Sequence, residues 1–103
     1  MTNIRVSKIK IAAFCRRWKI SELAFFGSVL RADFGPGSDV DVLVSFTQDA
    51  NWSLFDHVRM EDDLRDILGR DVDIVTRRSI ERSSNWIRRQ AILESAEPYY
   101  VAR

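Results

Sequence analysis

The segment SDVDVLVSF, residues 38–46, constrains the fold more than any other part of the chain. Its alternation puts Val40, Val42 and Val44 on one face and Asp39, Asp41 and Leu43 on the other, the two-residue period of a strand with one face in a core. Two aspartates at alternate positions of such a strand stand side by side. A charge withdrawn from water is costly unless it is paired or holds a metal. The strand must therefore lie where a partner of positive charge can reach it.

Upstream, ISELAFF (20–26) reads as a strand that runs straight into Gly27-Ser28, and SVLRADF has room for only a short helical turn before Gly35-Pro36-Gly37 breaks it. Residues 4–18 place Ile4, Ile11, Phe14, Cys15 and Trp18 near one helical face. After the polar loop TQDANW, Ser53 and Asp56 start a helix predicted to reach Leu68 and close at Gly69, with Leu54, Val58, Leu64 and Leu68 as its buried stripe. Glu61 falls on that stripe, read either as exposed at its end or as support for the acids. RDVDIVT (70–76) is a third strand, with Asp71 and Asp73 on one face and Val72 and Ile74 on the other. A last helix from about Asn85 to Ser95 stops before Pro98, and YYVAR supplies a further strand or a docking tail. The expected fold is a single α/β domain over residues 1–103: a small mixed sheet with the acids at one side and helices packed behind.

Composition narrows the class. Sixteen basic and fifteen acidic residues give a net charge of +1, so no global field draws the chain to nucleic acid or an anionic membrane. The single cysteine, Cys15, excludes an internal disulfide, and with His57 as the only other soft ligand a zinc site is not expected. Cys15 reads as a small buried hydrophobe and His57 as a surface residue. The run IAAFC is too short for a membrane span and leads into RRW without a cleavage site, so a cytoplasmic location is expected. Charge is unevenly spread: five arginines (Arg77, Arg78, Arg82, Arg88, Arg89) face only Glu81 within residues 77–89. They read as a solvated helix face or as a patch that meets phosphate or a partner.

Alternate residues of a strand lie about 6.5–7 Å apart, so the carboxylates of Asp39 and Asp41 can converge on ions about 3.5–4 Å apart, with Asp73 from the next strand as a third ligand. Without a cation, like charges about 4 Å apart repel by about 4 kcal/mol at an effective protein dielectric, and one takes up a proton. Hard oxygen ligands point to magnesium, with manganese as a substitute. Gly27 leaves room for close backbone approach, the N–H groups of residues 27–29 and the Ser28 hydroxyl can receive phosphate oxygens, and Arg31 can reach the same anion.

Gly27-Ser28, ten intervening residues, Asp39-x-Asp41 followed by aliphatics, and an acid on a later strand together resemble the signature of the polymerase-beta-type nucleotidyltransferase superfamily. The small size, Arg31, Ser38 and VDIVT resemble its minimal nucleotidyltransferase branch, whose members act as antitoxins beside HEPN-domain toxins. The resemblance spans residues 23–76. It departs around Arg31, where Leu30 and Ala32 stand in place of the branch's usual Gly-Ser-x-Ala-Arg-Gly. The resemblance implies ATP as substrate, Asp39, Asp41 and Asp73 as catalytic and metal-binding residues, and Gly27, Ser28, Arg31 and Ser38 as nucleotide-binding residues. Asp71 is the rival for the third acid, but the aliphatics after Asp73 match the family better. It also implies an acceptor: larger relatives cover theirs with an added domain for which this chain is too short, so the expected acceptor is a hydroxyl side chain of a HEPN-type RNase toxin. Two alternatives are a non-catalytic antitoxin that neutralises its partner by occlusion, and transfer to a small molecule or RNA. RNA is disfavoured by the neutral net charge and by the lack of stacking aromatics beside the arginines.

Overall fold

The computed structural model describes residues 6–31, 35 and 37–102. Helix α1 (Lys8–Arg17) starts at Ser7, whose Oγ accepts the Lys10 N–H at 3.3 Å, and buries Ile11, Phe14 and Cys15. Ile4, expected on the same stripe, lies outside the described residues, as does Pro36 of the expected helix break. Strand β1 (Ile20–Phe26) continues without a linker into a 3-10 turn, Gly27–Leu30. Strand β2 (Val40–Phe46) returns antiparallel to β1.

Helix α2 (Leu54–Leu68) has the expected ends. Ser53 and Asp56 form a reciprocal capping box, and Gly69 closes it at φ 68°, a left-handed conformation that glycine adopts without strain. The helix carries the chain across to β3 (Val72–Thr76), parallel to β2. Two helices follow, α3 (Arg77–Glu81) and α4 (Trp86–Ser95), and then β4 (Glu97–Val101), which pairs antiparallel with β1. The mixed sheet has the order β3-β2-β1-β4.

Strand alternation sorts the core into two layers. Val40, Val42 and Val44 join Leu23 and Phe25 of β1, Ile11 and Phe14 of α1, and Met60 and Leu64 of α2. On the other face Ala24, Phe26 and Leu43 pack against Ile80 of α3 and Ile92 of α4. Helices thus cover both faces of the sheet, not only the one behind the acids. Burial of Cys15 pushes its thiol up to about 12, as suits a core position.

The stripe expected on α2 holds in its second half, where Leu64 is buried and Leu68 packs partly buried against the core, and fails in its first. Leu54, Phe55 and Val58 are 79%, 82% and 51% exposed, and the helix meets the core through Met60 and Leu64. Glu61 is engaged rather than exposed at a stripe end: its Oε2 accepts the backbone N–H of Ile74 at 3.0 Å. That N–H belongs to the edge strand β3, so Glu61 ties the sheet's rim to α2. Among the described residues no helix is long and apolar enough to cross a membrane.

Candidate active site

The Gly-Ser turn and the Asp-x-Asp strand are bonded to each other, which accounts physically for their spacing. Phe26, the last residue of β1, is the direct partner of Asp41 in β2, so Gly27 and Ser28 emerge beside that carboxylate. The Ser28 Oγ–H donates to the Asp39 carbonyl at 3.2 Å, and the Ser28 backbone N–H donates to the Asp41 carboxylate. Gly27 has φ 73°, and any Cβ there would collide with Asp41 Oδ2 and lie 3.3 Å from its Cγ. Only glycine satisfies both conditions at once.

On the other side of β2, Asp41 is the direct partner of Asp73 in β3. Parallel neighbours in register send their side chains to the same face, and strands lie about 4.8 Å apart, so the two carboxylates share one surface. Burial raises the Asp41 carboxyl above the ordinary aspartate value, and the charges of Asp73 and then Asp39 push it the same way; the Ser28 N–H and Arg31 oppose the shift. Asp41 is half-buried, whereas Asp73 and Asp39 are exposed.

A cleft of about 310 Å³ lies over this face, and Gly27, Arg31, Asp41 and Asp73 all line it. The structure therefore gathers four of the seven residues expected at the site into one concavity. Ser28 is held by the hydrogen bonds just described. Ser38 and Asp39 line a larger adjoining cavity of about 520 Å³, with Arg70 and Asp71. The larger space holds only one of the three expected acids, Asp39; the smaller one is where the other two meet Gly27. Ser38 Oγ accepts the Gly35 N–H at 3.2 Å, so its hydroxyl closes the turn that leads into β2. Asp71 is ion-paired with Arg65 at 3.2 Å. His57 Nε2 stands 3.9 Å from Glu61 Oε2.

Two residues at these cavities were not assigned from the sequence. Arg70 Nη1 donates to the carbonyls of Gly35 and Ser38 at 2.9 and 3.3 Å, anchoring the turn ahead of Asp39. Nothing in its local sequence marks a partner that far back in the chain. Arg88 of α4 lines the smaller cleft beside Asp41 and Asp73. A signal for it existed: Arg88 is four residues before Ile92, the helix's buried anchor, and so shares the sheet-facing side.

Among the described residues no three His, Cys, Asp or Glu side chains close into a metal cage by themselves. The donor set nonetheless suits magnesium, which takes one or two carboxylates and completes its shell with water and phosphate oxygens. The crowding that raises the Asp41 carboxyl is the kind a cation relieves.

Comparison with known proteins shows the family of the chain. The proposed protein adenylyltransferase MJ0435 of Methanocaldococcus jannaschii is 36% identical over 78 residues, covering 76% of this chain and 82% of that one. A solved structure of a proposed minimal nucleotidyltransferase is 32% identical, with a TM-score of 0.67 over 86% of this chain and 85% of the other. Two further structures share the fold at low identity. One is a toxin-antitoxin with AMP-PNP (19% identical, TM-score 0.70, 95% of this chain and 76% of the other). The other is a tri-AMPylated Shewanella oneidensis HEPN toxin in complex with MNT antitoxin (20%, TM-score 0.61, 91% and 69%). The nucleotidyltransferase domain family matches residues 8–99, and the chain belongs to that family and, within it, to the minimal nucleotidyltransferases.

Proposed function

We propose that this chain is an antitoxin that transfers AMP from ATP to a hydroxyl side chain of a HEPN-domain partner, with magnesium or, in its place, manganese. The observation that carries the reading is the direct pairing of Asp41 with Asp73 in a cleft that also holds Gly27 and Arg31. AMP-PNP in one structural neighbour and an AMPylated HEPN toxin in another support the reading of nucleotide and partner class.

Asp39, Asp41 and Asp73 would hold the metal, which when bound neutralises triphosphate charge and lowers the pKa of the attacking hydroxyl. Asp73, the most open of the paired acids, takes the proton from that hydroxyl. The hydroxyl oxygen forms a bond to the α-phosphorus, the bond from that phosphorus to the oxygen bridging to the β-phosphate breaks, and pyrophosphate leaves. Arg31 and Ser28 grip the β- and γ-phosphates, Ser28 by exchanging the Asp39 carbonyl for a phosphate oxygen. Ser38 joins them once its hydroxyl leaves the Gly35 amide.

The test is isotope position. The chain is incubated with the product of the adjoining gene, magnesium, and ATP labelled at either the α- or the γ-phosphorus. Label should reach the partner only from the α position. Label from the γ position would make the protein a kinase, and label from neither would remove the enzymatic reading.

A further inference from the structure

We infer that Arg88 is a triphosphate ligand of this site, reaching the phosphates from α4, which lines the same cleft as Gly27 and Arg31; the inference rests on the nucleotidyl-transfer reading. Arginines of the 77–89 stretch go to different places. Arg77 approaches Glu22 at 3.9 Å, Arg89 Nη1 donates to the Ser83 carbonyl at 3.0 Å, and Arg78 lines a separate cavity with Phe46 and Thr47. Arg88 alone of the five lines the cleft that holds Asp41 and Asp73.

Its position is built into α4. Asn85 Oδ1 accepts the Arg88 backbone N–H at 3.1 Å and fixes the first turn, while Ile92, one turn on, is buried against the sheet. Arg88, Ala91, Ile92 and Ser95 therefore form one face of the helix, and all four line the cleft. Among the described residues Arg88 makes no ion pair, so its guanidinium is not consumed by the carboxylates that line the same cleft.

The chemistry calls for a second cation of this kind. Asp41 and Asp73 place two carboxylates where a polyanion must bind, and Arg31 supplies a single positive charge beside them. A guanidinium on α4 adds charge and a planar fork that matches two phosphate oxygens. The chemistry of a guanidinium says which part of the nucleotide it meets: its planar fork of donors matches phosphate oxygens. Arg88 should therefore bind phosphate without regard to the base.

Calorimetry in magnesium with tripolyphosphate and with ATP tests this on the wild type, Arg88→Ala, Arg88→Lys and Arg82→Ala. Arg88→Ala should weaken both probes by the same factor, about tenfold or more, as expected for charge-assisted hydrogen bonds. Arg88→Lys should fall between, and Arg82→Ala, outside the cleft, should match wild type. Circular dichroism checks that α4 is intact, and Arg88→Gln substitutes if the alanine variant loses helix. Unchanged affinity in Arg88→Ala, or a loss confined to ATP, would overturn the assignment while leaving nucleotidyl transfer standing. Binding of neither probe by the wild type would overturn both.

Discussion

Asp41 and Asp73 face each other, Cα to Cα, across the parallel β2–β3 pair. Like charges placed directly opposite on a sheet destabilise it. The fold tolerates this arrangement where a core would not, because Asp73 remains open to the cleft.

The first expected outcome concerns the protein without metal. Burial and the neighbouring acids raise the Asp41 carboxyl, so the native state retains a proton that the unfolded chain has released. Stability therefore falls as pH rises through the window between the unfolded and folded values, and the loss persists at neutral pH. Asp41→Asn removes it. In EDTA at pH 7 the variant should melt higher than wild type by roughly a few °C, and the difference should vanish near pH 3. Added magnesium should raise the wild-type melting temperature and leave the variant unchanged. A variant that melts lower at pH 7 would contradict the electrostatic account.

Gly27→Ala meets two obstacles, a left-handed backbone and the Asp41 carboxylate. The backbone alone costs about 1–2 kcal/mol, and the clash must displace a carboxylate of the site. Denaturant unfolding should show at least that loss, with AMP transfer reduced beyond what stability explains. A variant of wild-type stability and activity would show that this close approach is unimportant.

Glu61 supplies a carboxylate to the edge N–H of Ile74, next to Asp73. Glu61→Ala should cost about 1–2 kcal/mol, the lower range for a hydrogen bond to a charged, partly exposed group. The Ile74 amide should exchange faster with deuterium, whereas amides of β1 in the sheet interior should not. Glu61→Gln should restore most of the protection. Uniform acceleration across the sheet would mean global loosening rather than a local tie.

Strand content was legible where alternation and breakers agree: ISELAFF matches β1, and SDVDVLVSF and RDVDIVT contain β2 and β3, each expected to begin two residues earlier than it does. The ends of α2 were legible because Ser53, Asp56 and Gly69 act through local backbone chemistry. Its buried face was legible only in part, at Leu64 and Leu68. Leu54 and Val58 fit the helical period as well as Met60 does, and only the position of the sheet decides which of them it covers. Helix α3 escaped notice because a five-residue segment with one apolar anchor, Ile80, carries no periodic signal. The proximity of Gly27, Asp41 and Asp73 followed from strand order, whereas the contribution of Arg88 depends on how α4 lies over the sheet.

The most direct measurement is the intact mass of the partner after incubation with ATP and magnesium, taken beside an assay of the partner's RNase activity. Wild type should add about 329 Da per AMP, the mass left when pyrophosphate departs. Asp73→Asn keeps the shape of the side chain but loses its charge, so ATP should still bind while the adduct and the neutralisation disappear together. If no adduct forms with any nucleoside triphosphate and Asp73→Asn still silences the partner fully, the chain acts by occlusion and the enzymatic account is wrong.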